Sequence, residues 1–458
     1  MSFWTLDRIA DALERELTGA RPLGTTAIRA IATDTRTIQA GDCFVALKGE
    51  TFDAHDFLRD AVAKGATAAV VNDPRKGADL GVPIFAVHDT LKALWDLASY
   101  RRRAWAGAGK PIIAVAGSNG KTTTKELTRG ALATFYDVHA TTGNLNNHVG
   151  VPLTLLALPD SADLAIIEVG TNHPGEVAAL GGLIEPTVAI VTSVGEEHLE
   201  GLGDIAGVLR EEVAICRGTA VAVTPTAQPE IGDAARGLAA RVVTAGLDAG
   251  DIRPDAYAVS DDGFGSLTFG GVTTRLAIPG AHMLRNAMLA LATAEVCGIP
   301  VEQAAQGLAA VEPLPMRGVW RTLGRATLIN DAYNANPASM REAIALLDTL
   351  KTPRQRVLVL GSMLELGSRS EVYHREIAER AINSSAAVVA GVGELGRALA
   401  QLGTPNGRVV VAETAEALWP QLVPRLAPDA VVLLKASRGV RLERLEPLIE
   451  AWATPQAT

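Results

Sequence analysis

The stretch from Pro111 to Glu126, PIIAVAGSNGKTTTKE, restricts the fold of this chain more than any other. Ile112 to Ala116 are five consecutive apolar residues, the length and character of a short buried strand. Gly117-Ser118-Asn119-Gly120 predicts a tight turn, and Lys121-Thr122-Thr123-Thr124 opens a helix. Glycines let the backbone curl until successive N–H groups point inward, and a helix N-terminus adds positive potential there. A lysine ammonium and a threonine hydroxyl complete a phosphate cradle, the hydroxyl being a natural Mg²⁺ ligand. The longer Walker pattern would need a glycine at Val115, so the spacing is the shorter GxxGKTT form. An ordinary glycine-rich strand-to-helix turn is the competing reading. The glycines, Lys121 and the threonine run together, set between a strand and a helix, point instead to a nucleoside triphosphate.

Length and charge narrow the remaining choices. With 458 residues the chain has room for about three domains. Apolar residues make up 48% and charged residues 20%, so folded cores are expected throughout. A formal net charge of −9 argues against duplex nucleic acid or an anionic membrane as the main partner. Cys43, Cys216 and Cys297 are too few and too scattered for a disulfide framework or a zinc site, and read as small buried apolar residues. The N-terminus, MSFWTLDRIADALERE, has acidic residues and helical periodicity where a leader would have a basic tip and an apolar run. No apolar run reaches the length of a membrane span. A cytoplasmic, reduced protein is expected.

The pattern predicts an α/β chain of three domains. Residues 1–109 read as a small α/β N-terminal domain of short strands with Gly and Asp turns, including ATAAVV (66–71) and PIFAV (83–87). Its helix from about Thr90 to Trp105 contains Arg101-Arg102-Arg103, read as a solvated helix end, and Ala106–Gly109 reads as a linker. Residues 110–313 read as a central parallel-sheet, P-loop ATPase-like domain. Strands near 162–168, 187–194, 220–223 and 242–245 follow the loop, then hairpins between 257 and 278 and a helix from His282 to Cys297. Residues 314–458 read as a C-terminal Rossmann-like α/β domain with strands at ATLINDAY, RVLVLG, AAVVAGVG, RVVVAE and AVVLLKAS.

Several groups are placed to do chemistry. Glu168 ends the strand ADLAIIE, His198 follows TVAIVTSV in GEEHLE, and Glu211 and Glu212 lie on the next helix. Ligands of doubly wound sheets sit at the strands' carboxyl ends, so these residues are expected to converge on the phosphate loop. Mg²⁺ prefers carboxylate and phosphate oxygen, which suits Glu168. Asn144, Asn146 and Asn147 in TTGNLNNHVGVP form a polar loop suited to substrate oxygens, or simply a turn. In the first domain Thr35 and Arg36 of TDTR, Lys48, Asp53 and His55 are candidate substrate contacts, with a solvated surface charge as the competing reading for each charged group. In the third, Asp331-Ala-Tyr333-Asn-Ala-Asn-Pro337 and Lys435-Ala-Ser-Arg-Gly439 follow strands; the first also suits a helix cap.

Taken in order, DTR, GDCFVALKGE, DAHDF, GSNGKTTT, DAYNANPASM, GSMLELG and KASRGVRLE resemble the Mur ligase family of ATP-dependent amide-forming enzymes, along essentially the whole chain. DAYNANPASM resembles the dipeptide-adding branch, and the DNPR motif of the branch adding the third residue is missing. The resemblance implies that ATP phosphorylates the terminal carboxylate of a UDP-N-acetylmuramoyl-tripeptide, and that the amine of D-alanyl-D-alanine then displaces phosphate. It implies ATP and Mg²⁺ as cofactors and a monomer. Lys121 would bind the ATP phosphates, Thr122 with Glu168 one Mg²⁺, and His198 a second. Asn286, Arg317, Asp331 and Tyr333 would meet adenine and ribose. Where many members carry a carbamylated lysine this chain has Glu212, with Glu211 adjacent, so a glutamate would supply that negative group without CO₂. Met283 stands in the usual HNxxN motif (His282 to Asn286), Ser362 in GDMLELG and Ala436 in KGSR, which weakens the roles of those loops. The alternatives are the third-residue ligase, a folyl-polyglutamate-type relative, and a nucleotide-binding module without catalysis.

Overall fold

The computed structural model describes residues 2–49, 51–77, 79–107, 109–403 and 407–454. Glu50 of GDCFVALKGE and Ala108 of the expected linker lie outside them. The chain forms two compact units, one of residues 1–114, 136–170 and 178–187, the other of 115–135, 171–177 and 188–458.

In the first unit, four short parallel strands run in the order Ile31–Ala32, Cys43–Val45, Ala68–Val71 and Ile84–Ala86. Phe44, Ala46, Leu58, Ala61, Ala69 and Val71 pack into one core, which explains why these strands read as continuous apolar runs. The helix Thr90–Ala106 starts at Asp89, whose carboxylate accepts the Leu91 and Lys92 N–H groups. Its far end corrects the expectation of a solvated arginine run. Arg101 and Arg102 are buried; Arg101 donates to the Leu158 carbonyl and to Asp160, and Arg102 makes a two-pronged pair with Glu185. Fixed guanidinium forks suit such buried pairing, so these two arginines pin the helix, while Arg103 is exposed as expected. The same unit holds the parallel pair Val138–Ala140 and Leu164–Glu168 and the helix Gly150–Leu156.

In the second unit, strands Val188–Val191, Val221–Pro225 and Arg241–Ala245 are parallel neighbours. The helix Lys121–Leu132 packs on Ala281–Val296 and Val301–Leu308. At its crossing with Val301–Leu308, a Cβ on Gly130 would lie 2.9 Å from the Gly307 carbonyl, so the two glycines permit the close approach. Strands Ala256–Val259, Phe264–Phe269 and Val272–Pro279 form an antiparallel sheet at the predicted hairpins. A six-strand sheet follows, in the order Val319–Leu323, Ala326–Asn330, Val431–Lys435, Arg356–Leu360, Val388–Val392 and Val409–Ala412. Only its first pair is antiparallel. Its core includes Leu328, Val357, Val359, Val432 and Leu434, all fully buried. Thus each strand read from the third domain's apolar runs forms, within the stretch predicted.

Candidate active site

The phosphate loop is built as the sequence requires. The strand Ile112–Ala116 is buried at every residue, and the helix begins at Lys121. Gly117 has φ 122°, and a Cβ there would meet the Thr192 hydroxyl at 2.2 Å. Gly120 has φ 81°, and its Cβ would meet the Asn286 side chain at 2.8 Å. Both therefore need glycine for conformation and for space. Residues 192–195 hold the loop from the side. The Ser118 N–H donates to the Ser193 carbonyl at 2.8 Å, the Asn119 N–H to the Ser193 hydroxyl at 3.0 Å, and the Gly195 N–H to the Ser118 hydroxyl at 2.9 Å. The Thr192 hydroxyl donates to the Asn119 carbonyl at 2.6 Å. No side chain caps the helix start, which leaves its first N–H groups directed into the loop.

Charged groups gather around this loop. Lys121 folds back, its ammonium donating to the Gly117 carbonyl and lying 3.5 Å from Glu197. Glu212, on the helix Ile205–Val213, is buried, and one carboxylate oxygen accepts the Gly117 N–H at 2.6 Å. The other oxygen is buried with no hydrogen-bond partner. Burial, helped by the nearby Glu197 charge, pushes the Glu212 carboxyl up to about 7, against the pull of Lys121, the Gly117 N–H and His198. Such an incompletely satisfied buried carboxylate beside a phosphate loop is a natural cation ligand. Glu211 turns elsewhere: it accepts from the Gly175 and Val177 N–H groups and the Thr171 hydroxyl, bracing the loop 171–177. Of the two adjacent glutamates, Glu212 is the one at the phosphate loop.

His198 has φ 49° and sets Nδ1 2.5 Å from Glu365. Burial works against charging the ring, but the Glu365 and Glu197 carboxylates outweigh it and raise its pKa. A cavity of about 170 Å³ opens beside it, lined by Glu197, His198, Asn336, Leu364, Glu365 and Arg438, among others. Tyr333 lies near this cavity, with the Arg317 guanidinium 3.9 Å and the Arg438 guanidinium 6.0 Å from its ring centre. Asp331 is bound by the buried Lys435 ammonium at 2.6 Å. Asn336 caps the helix Pro337–Thr349 through a capping box, as the alternative reading of that loop required. Asn286 is buried against Gly120. Ser362 accepts the Glu394 N–H at 2.9 Å, so the hydroxyl standing in the GDMLELG position caps a helix start.

Within the second unit, then, the structure brings together Gly117 to Thr123, His198, Glu212 and Asn286, while Arg317 lies over the Tyr333 ring and Asp331 pairs with Lys435. Among the described residues no three His, Cys, Asp or Glu side chains form a closed metal cage. Mg²⁺ does not need one, since it keeps waters and phosphate oxygens as most of its ligands.

In the first unit Glu168 ends its strand, buried, and accepts from the Asn146 amide at 2.9 Å. Asn147 accepts the Val149 and Gly150 N–H groups and so starts the helix there; Asn144 is exposed. The first-domain residues separate into two kinds. Arg36 is exposed and paired with Asp34, Lys48 is exposed, and the Thr35 carbonyl accepts from Lys64. His55 is buried: Nδ1 donates to Asp53 at 2.6 Å, and Nε2 accepts the Asn72 N–H at 3.1 Å. Both ring nitrogens are engaged within the domain. Asp53 is similarly engaged, by His55 and Lys76.

Sequence reasoning passed over Glu197, Arg341 and Glu365, although GEEHLE, PASMRE and GSMLELG contain them. It passed over Gln228 too, whose amide exchanges two hydrogen bonds with Val194 (2.9 and 2.7 Å) and supports the segment holding the loop. Nothing in the local pattern around Gln228 marks it; only the fold brings it there.

Known proteins match this chain along nearly its full length. The Mur ligase family catalytic domain matches residues 27–102, the Mur ligase middle domain 115–294, and the Mur ligase glutamate ligase domain 317–438. A UDP-N-acetylmuramoyl-tripeptide–D-alanyl-D-alanine ligase of Bacillus subtilis is 35% identical over 93% of this chain and 94% of its own. A crystal structure of MurF from Acinetobacter baumannii superposes with a TM-score of 0.88, at 30% identity and covering 98% of both chains. MurF ligase from Thermotoga maritima in complex with ADP gives a TM-score of 0.79 at 27% identity, over 95% of this chain and 100% of that one. With three family domains in sequence order and a relative at this identity along nearly its full length, the chain belongs to the Mur ligase family.

Proposed function

We propose that this chain is an ATP-dependent ligase joining D-alanyl-D-alanine to a UDP-N-acetylmuramoyl-tripeptide, a step in building peptidoglycan precursors. The observation behind this reading is the phosphate loop with its helix start uncapped, Lys121 folded onto it and the carboxylate of Glu212 beneath it. The tripeptide carboxylate attacks the γ-phosphorus and ADP leaves, giving an acyl phosphate. The dipeptide amine then attacks the acyl carbon, a proton is lost from nitrogen, and inorganic phosphate departs. Such transfers depend on positioning and charge neutralisation more than on a nucleophilic side chain. Lys121 swings from the Gly117 carbonyl to the phosphates, and the helix-start N–H groups of Lys121 to Thr123 face them. Mg²⁺, when bound, would neutralise charge on the phosphoryl oxygens; Thr122, Glu168, His198 and Glu212 are the residues proposed as metal ligands. Asn286, Arg317, Asp331 and Tyr333 serve adenine and ribose, with Tyr333 offering its ring. Thr35, Arg36, Lys48, Asn144 and Asn147 are the remaining contacts for the uridine-linked substrate, and Asp53 acts through the first-domain scaffold.

The domain limits 1–109, 110–313 and 314–458 divide these tasks: the first presents the uridine-linked acceptor, the second binds ATP, and the third closes over it. No described helix is long and apolar enough to cross a membrane. The enzyme works as a cytoplasmic monomer.

Phosphate release that requires both UDP-sugar tripeptide and D-alanyl-D-alanine is the expected result of a substrate panel with mass detection. Equal turnover with single D-amino acids, or none with any dipeptide, excludes this reaction. Glu212 supplies its carboxylate directly, so turnover in CO₂-depleted buffer should match that with added bicarbonate. A loss restored by bicarbonate would show that a carbamylated lysine is needed after all.

A further inference from the structure

The segment holding His198 is gripped from the C-terminal part of the same unit at two points. Glu365, in the loop after the strand Arg356–Leu360, lies 2.5 Å from His198 Nδ1. Arg341, on the helix Pro337–Thr349, donates to both oxygens of Glu196 at 3.3 and 3.1 Å, and to Glu376 at 2.8 and 3.1 Å. The backbones agree with this contact. His198 (φ 49°) and Glu365 (φ 65°) are both non-glycine residues in the left-handed region, and the Glu200 N–H faces the Glu365 carbonyl at 3.5 Å. Two such conformations meeting at one ion pair need surroundings that hold them. A Cβ on Gly367 would lie 3.4 Å from the Glu200 Cα, so the two loops lie against each other.

We propose that Glu365 is a positioning residue for His198, and that Arg341 is the strut keeping the two loops in register. A carboxylate on one imidazole nitrogen fixes that nitrogen as the donor and aims the other outward with its lone pair. With Nδ1 bound to Glu365, Nε2 is the nitrogen left to meet a cation. Divalent-cation binding at His198 thus depends on a side chain from the C-terminal part of the chain, and the site is complete only while that loop is docked. This rests on the reading of His198 as a metal-side residue.

The test measures Mn²⁺ binding to the full-length protein with a non-hydrolysable ATP analogue, by electron paramagnetic resonance, with melting temperature recorded for every variant. Glu365→Ala should weaken Mn²⁺ about tenfold or more, at a melting temperature close to wild type. Glu365→Gln keeps an acceptor of the same size without the charge and should fall between the two; it replaces Glu365→Ala if that variant does not fold. Arg341→Ala should weaken Mn²⁺ less than Glu365→Ala, and Arg341→Lys should recover part of the loss. In ring ¹⁵N spectra of the metal-free protein at alkaline pH, wild-type His198 should be protonated at Nδ1, and Glu365→Ala should become a tautomer mixture. Wild-type Mn²⁺ affinity in both Glu365 variants, alongside weakened binding in His198→Ala, overturns the positioning role alone. Unchanged affinity in His198→Ala overturns the metal role of His198 and the positioning proposal with it.

Discussion

The phosphate loop and the Asp53–His55 turn are both short polar motifs that sequence reading marks for ligand binding, yet they use their side chains in opposite ways. At the turn, hydrogen-bonding capacity is satisfied from within: both His55 nitrogens have protein partners, and Asp53 is held by His55 and Lys76. At the loop, capacity is left over: the helix start is uncapped, and one oxygen of the buried Glu212 has no hydrogen-bond partner. A buried polar group without a partner is costly, so folds keep such groups mainly where a ligand will supply one. The first motif is satisfied from within the fold, and at the second a buried carboxylate oxygen is not.

Substitutions should divide along this line. The largest effect belongs to Lys121→Ala, which should lower kcat by about 10²–10³-fold while the melting temperature barely changes. Activity near wild type would remove the loop from the chemistry. Gly117→Ala should fail in both respects, because its Cβ meets Thr192 at 2.2 Å and its backbone is left-handed. A loss of about 1–3 kcal/mol in urea unfolding is expected from the strain, together with loss of nucleotide turnover. His55→Ala should do the reverse of Lys121→Ala. Stranding the Asn72 N–H should destabilise by about 1–3 kcal/mol, with KM for the uridine-linked substrate unchanged in protein that remains folded. A raised KM without loss of stability would return His55 to the binding surface.

The smallest effect is a pH dependence. Burial works against the Asp53 charge, but hydrogen bonds from His55 and Lys76 outweigh it and hold the carboxyl well below the usual carboxylate range. A carboxyl depressed in the folded state adds stability above its unfolded pKa of about 3.9, and that stability is lost as pH falls below it. The melting temperature of Asp53→Asn should therefore fall less steeply than wild type below about pH 4. Parallel curves would remove Asp53 from the acid limb.

Legibility differed between elements for physical reasons. Strands buried on both faces, such as Val431–Lys435 and Val388–Val392, announce themselves as continuous apolar runs. The Arg101–Arg103 run was opaque because charge alone does not reveal whether a partner awaits; Leu158, Asp160 and Glu185 are supplied from distant segments. Glu211 and Glu212 are equivalent on paper. The 100° between neighbours on a helix sends one to the loop 171–177 and the other to Gly117.

What the sequence by itself determined is local: a glycine turn that only a strand-to-helix junction satisfies, the lysine and threonines that follow it, and the run of β and α segments. Backbone sterics and apolar periodicity act over a few residues, so they can be read there. Only the tertiary structure decided which polar groups are already satisfied. It closed both nitrogens of His55 within its own domain and aimed Glu212, not Glu211, at the phosphate loop. It also set Glu365 against His198 from 167 positions away along the chain (365 minus 198). Hydrogen-bond satisfaction is settled between segments far apart in sequence, and folding alone brings them within reach.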